Sequence, residues 1–152
     1  MKNVMRFTFC LLSLLFYMSA GAKVEKSELL GVWTQMETEN GVTMMSTYDF
    51  KEDNTVTQLL MINGSAPKMN VMADAKAEYN LEDDCLTFKV NPADVNFTAF
   101  EIEGLPQEYV GMAQQQMLAE LTNVVQKLTD LKIEGNILTA KFNGQKVTFK
   151  RN

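Results

Sequence analysis

From Val32 to Arg151 the chain runs mostly in short stretches that alternate apolar and polar residues. That period of two belongs to strands with one dry face and one wet face. The clearest stretch sets Met69, Val71, Ala73, Ala75, Ala77 and Tyr79 against Asn70, Met72, Asp74, Lys76, Glu78 and Asn80. The same pattern predicts strands at 32–38, 42–50, 55–62, 85–90, 95–103, 131–134, 137–142 and 145–151. Polar turns separate them. Asn40-Gly41 and Asn143-Gly144 are the strongest, because both residues tolerate the positive φ of a tight hairpin. Glu82-Asp83-Asp84 and Asn91-Pro92-Ala93-Asp94 predict two more turns.

The period changes once. Pro106 followed by Gln107 and Glu108 predicts a helix start. Tyr109, Met112, Met117, Leu118, Leu121, Val124, Val125 and Leu128 then fall on one side of a helical wheel, giving a helix over 106–129. A one-sided helix belongs along a barrel wall or across a mouth. A shorter helical turn is predicted at 25–30, capped by Ser27.

Sequential hairpins pair neighbour with neighbour, and closing the meander removes its exposed edges. The expected fold is therefore mostly β: an antiparallel up-and-down β-barrel of about eight to nine strands, with one long amphipathic helix before the last strands. A β-sandwich is the competing architecture. Trp33 is the only tryptophan and follows the apolar turn Leu29-Leu30-Gly31, so it is expected to plug one barrel end. The three alanines on one face of the fourth strand leave room, either for a helix packed above them or for a cavity.

Residues 1–22 read differently. A basic start at Lys2 and Arg6, an apolar run and the small residues Ser19-Ala20-Gly21-Ala22 predict a cleaved secretory signal peptide. The mature domain would be 23–152, secreted or periplasmic, with no transmembrane anchor. Losing Lys2 and Arg6 deepens the formal charge of −5 by two units. An acidic chain without a basic run argues against nucleic-acid partners. Cys85 would remain the only cysteine, so no internal disulfide is expected.

The chain contains no histidine, which removes Ser-His-Asp and Cys-His catalysis and His-ligated zinc. The carboxylates of Asp49/Glu52/Asp53 and Glu82/Asp83/Asp84 lie at predicted turns, where acids serve the backbone. No catalytic residue, metal ligand or cofactor is expected, and the protein is read as a non-enzyme. Methionine stands out: Met36, Met44, Met45, Met61, Met69, Met72, Met112 and Met117 all lie in the domain. Met fills irregular cores and also suits adaptable apolar pockets. Strand parity offers Met44, Leu60, Tyr79 and Phe88 as lining for such a pocket.

The apolar turn into Gly31-x-Trp33, the meander and the closing hairpins 133–139 and 144–149 resemble the secreted lipocalin-like domains of gut and oral Bacteroidetes, barrels of the wider calycin type. The chain differs from a standard lipocalin in placing its helix before the final strands and in lacking the usual disulfide. The resemblance implies a barrel that binds a small hydrophobic or amphipathic ligand without altering it. The alternative expectation is a cell-envelope structural or inhibitory module, its barrel solidly packed and its helix 106–129 meeting a protein partner.

Overall fold

A computed structural model describes residues 23–152; the signal-peptide reading of 1–22 lies outside the described residues. Among these residues, eight strands close into one antiparallel barrel in chain order. They are β1 (Gly31–Glu39), β2 (Val42–Phe50), β3 (Thr55–Ser65), β4 (Lys68–Glu82), β5 (Cys85–Ile102), β6 (Gln126–Glu134), β7 (Ile137–Phe142) and β8 (Gln145–Arg151). A short helix, α1 (Lys26–Leu29), precedes them, and α2 (Gln107–Thr122) joins β5 to β6. The expected up-and-down barrel is what forms.

Closure is made where β1 meets β8, with Trp33 opposite Arg151 and Thr34 opposite Lys150. Asn152 extends the seam: its backbone N–H donates to the Val32 carbonyl at 3.1 Å and its side-chain amide to Thr34 Oγ1 at 2.8 Å. The other short seam joins Leu86–Phe88 of β5 to Gln126–Leu128 of β6. The turns behave as their residues demand. Asn40 and Gly41 have φ of 50° and 78°, and Asn143 and Gly144 have 49° and 79°, the double positive φ that matches strand twist.

Three expectations need correction. Residues 91–94 are not a turn between two strands. β5 runs through them for 18 residues, and the register jumps from Val95 opposite Ala75 to Val90 opposite Ala77. The extra residues form a bulge, with the Ala93 N–H donating to Asn91 Oδ1 at 3.1 Å. Pro92 has no N–H to lose there. The predicted nine strands therefore become eight.

The helix also stops earlier than 129. The Thr122 hydroxyl bonds back to the Leu118 carbonyl at 2.8 Å, and Asn123 caps the last turn. Beyond it Val124 and Val125 are exposed, while Gln126 and Leu128 alternate as strand residues of β6. The apolar positions 121, 124, 125 and 128 suit a helix locally. The barrel needs a strand between β5 and β7, and that demand overrides the local period. Finally, Glu25 rather than Ser27 caps α1, and its N–H donates to Glu28 Oε2 at 2.9 Å.

The core fills one end of the cylinder. Trp33, Leu29, Leu86 and Leu138 are essentially inaccessible, and Phe50, Tyr79 and Phe149 surround them. Trp33 plugs this end: its indole N–H donates to the Leu29 carbonyl at 2.7 Å, and the Arg151 guanidinium lies 4.4 Å over its ring. Arg151 also donates to the Glu28 carbonyl, so α1, β1 and β8 are tied around one indole.

Candidate functional site: a cavity at the open end

Strand alternation that buries Trp33 on β1 turns Gln35 and Glu37 inward higher up the same strand. On β2 it turns Met44, Ser46 and Tyr48 inward, and on β3 Gln58 and Leu60. These side chains line a cavity of about 440 Å³ at the end opposite Trp33. Phe88 from β5, Leu128 from β6, Phe142 from β7, and Val147 and Phe149 from β8 complete an apolar floor and wall. Gln126, Gln145 and Glu120 supply polar groups near the mouth, and Leu121 closes one side from α2.

Tyr48 marks the boundary between the two halves. Its ring meets Phe88 edge-on at 5.8 Å and Phe149 at 5.7 Å, and lies nearly parallel to Phe50 at 6.2 Å. Such aromatic contacts add to the area they bury. Below Tyr48 a void of only about 10 Å³ lies among Trp33, Phe50, Leu86 and their neighbours, at the lower limit for a single water. Above it the space is open. The Tyr48 hydroxyl accepts a hydrogen bond from Gln58 Nε2 at 3.1 Å. Burial pushes its pKa above the ordinary tyrosine value, partly offset by a hydrogen bond with Ser46, so the phenol is neutral at physiological pH.

Of the four residues singled out from parity, Met44, Leu60 and Phe88 line this cavity together. Tyr79 does not. It faces inward from β4 but lies in the packed end, edge-on to Phe50 at 5.3 Å, with its hydroxyl donating to the Lys51 carbonyl at 2.8 Å. Parity gave its face correctly; its height along the barrel decided the rest. Burial, and secondarily the Asp53 carboxylate, raise its pKa.

Two of the three alanines of β4 lie beside the helix. Ala73 and Ala75 face Leu121 of α2 across a void of only about 10 Å³, beside Val90 and Val95. The small side chains make room for the helix, and the cavity lies to one side of them. Beyond Phe88, β5 has no ladder partner on β6, and α2 lies against it there.

Sequence reading missed the polar lining: Gln35, Glu37, Gln58, Glu120, Gln126 and Gln145. The inward parity of Gln35 and Gln58 was available as a signal, since polar residues at inward positions need water or a partner. Among the described methionines, by contrast, Met44 alone lines the cavity. Met36, Met45, Met61 and Met72 form an in-register row across β1 to β4 on the outer wall, with Met36 67% exposed.

The turn carboxylates serve the backbone. Asp53 accepts from the Thr55 N–H at 3.1 Å and from its hydroxyl at 2.6 Å, contacts that lower its pKa. No group of three acidic, Cys or His side chains among the described residues is placed to hold a metal. Cys85 is a free, partly exposed thiol at the start of β5.

The fold thus defines an eight-stranded up-and-down barrel, packed at one end and hollow at the other. No protein-family model matches the sequence, and no curated protein does.

Proposed function

We propose that this chain is an exported, non-enzymatic, lipocalin-like barrel that binds one small amphipathic molecule in its open end. The observation that carries the reading is the cavity of about 440 Å³ above Tyr48. Its volume lies in the range of small-molecule sites, roughly 300–1,000 Å³, and it combines an apolar floor with a few polar groups near the mouth. Eight strands give a barrel just wide enough for one such ligand. The absence of histidine from the sequence supports binding over turnover. Signal-like residues 1–22 support export, with the domain 23–152 working outside the cytoplasm.

Native mass spectrometry of the purified domain should show a bound small molecule, and released ligand should be recovered chemically unchanged. Thermal-shift screening against lipids, bile acids and tetrapyrroles should raise the melting temperature for at least one amphiphile class. An empty protein with no shift for any amphiphile would remove this reading.

A second reading rests on the helix. Tyr109 and Met112 lie one turn apart on α2, 49% and 63% exposed, although both belonged to its expected apolar face. The alternative is a structural or inhibitory module that meets a protein partner there. Replacing both by Ser would abolish such an association and leave small-molecule binding intact.

A further inference from the structure

The chemistry of the lining is one-sided in charge. Glu37 enters from β1 and Glu120 from α2, so two carboxylates from separate elements face the same cavity. Among the described residues, no lysine or arginine lines it. The reason lies in strand parity. Lys76, Lys89, Lys127, Lys132, Lys141 and Lys146 each sit next in sequence to an inward residue, and alternation turns all six outward. The sole arginine of the described strands, Arg151, is engaged over Trp33 at the closed end.

Two amides of the lining already have partners among their neighbours. Gln35 commits its amide N–H to Glu37 Oε1 at 2.6 Å, and Gln58 commits its own to Tyr48 Oη. Each amide keeps a second N–H as a donor and its oxygen as an acceptor. Among the described residues neither Glu37 nor Glu120 is in an ion pair. The floor offers the rings of Tyr48, Phe88 and Phe149 to an apolar body.

Resting on the small-molecule reading above, we propose that the ligand is a cationic amphiphile. Its apolar body lies on the Tyr48–Phe88–Phe149 floor, and an amine or quaternary ammonium group lies between Glu37 and Glu120. A fatty acid or other anionic amphiphile meets two carboxylates and no counter-charge, and this site discriminates against it. The rim is solvent-exposed, so the preference is screened by salt.

The test uses three probes with one tail: decyltrimethylammonium, decanol and decanoate, each titrated calorimetrically into the purified domain below its micelle concentration. The cation should bind at least about tenfold more tightly than the anion, a gap of roughly 1.4 kcal/mol, with the alcohol between them. Added sodium chloride should narrow the gap. The E37Q/E120Q variant, with an unchanged urea midpoint as proof of folding, should bind the cation no better than the alcohol. Equal binding of all three probes, or a cation preference that survives E37Q/E120Q, overturns the charge assignment and leaves the pocket standing. Tighter binding of decanoate does the same. Failure of every probe to bind removes the pocket reading and this inference together.

Discussion

The two ends of this barrel are built from the same strands and the same alternation, yet they are opposite in kind. At the Trp33 end, inward positions carry Trp33, Phe50, Tyr79, Leu86 and Leu138, and the interior is filled. At the other end, the same faces of β1, β2, β3 and β6 carry Gln35, Glu37, Ser46, Gln58 and Gln126, and the interior is open. The difference shows that pattern parity decides which side chains face the lumen. Residue size and polarity along each inward row then decide where the lumen closes. Packing is worth about 25 cal/mol per Å² of apolar surface removed from water, so the filled end holds the fold and the open end is free to serve another purpose.

The sharpest way to break this contrast is truncation at each end. Trp33→Ala removes the plug and its hydrogen bond to Leu29, and should cost about 3–5 kcal/mol in urea unfolding. Met44→Ala, at a cavity position 41% exposed, should change stability by no more than about 0.5 kcal/mol. Comparable losses would mean that the two ends share the work.

The boundary with the helix comes next. Ala75→Leu drives a larger side chain against Leu121 and Val95, and overpacking of that kind costs about 1–3 kcal/mol. Hydrogen exchange should speed up in α2 while protection around Trp33 holds. A uniform loss of protection would instead show the helix to be integral to the packed end.

Turn chemistry offers a smaller effect. Gly144→Ala places a Cβ at φ 79°, which costs about 1–2 kcal/mol, read as a shift in the urea midpoint. Gly111→Ala, in the interior of α2 with open space where its Cβ would sit, should instead stabilise by up to about 1 kcal/mol.

The smallest effect is alkaline. Tyr48 and Tyr79 have pKa values raised above the ordinary 10.0 by burial. Below pH 10 the phenols are protonated in both folded and unfolded chains and impose no penalty. Above it the unfolded chain loses its protons first, so stability must fall as pH rises. Urea midpoints between pH 9 and pH 11 should decline, and Tyr48→Phe should flatten the decline. A flat wild-type profile would show that water reaches both phenols freely.

Much of this architecture was legible in the residues. Period-two runs gave the strands, Asn-Gly pairs gave the hairpins, and Trp33 behind Leu29-Leu30-Gly31 gave the plugged end. Met44, Leu60 and Phe88 were placed on a common lining by parity alone. Tyr79 was misplaced because parity carries no information about height in the barrel, which depends on strand tilt and register. The helix was overextended because Val124, Val125 and Leu128 satisfy a helical period locally. Only the vacancy between β5 and β7 assigns Leu128 to a strand. The Asn91–Asp94 bulge imitates a turn for a similar reason: Asn, Pro and Asp favour both, and the choice depends on whether the neighbouring strand continues past them.

The sequence by itself determined the period of most strands, the two Asn-Gly hairpins and the inward or outward sense of side chains within those strands, because these follow from local backbone geometry. Tertiary structure alone decided that Leu121 lies beside Ala73 and Ala75, that Met36, Met45, Met61 and Met72 align on the outer wall, and that Glu37 and Glu120 share one cavity. Those outcomes depend on strand register and helix placement, which set distances between residues far apart in the chain and which no local pattern encodes.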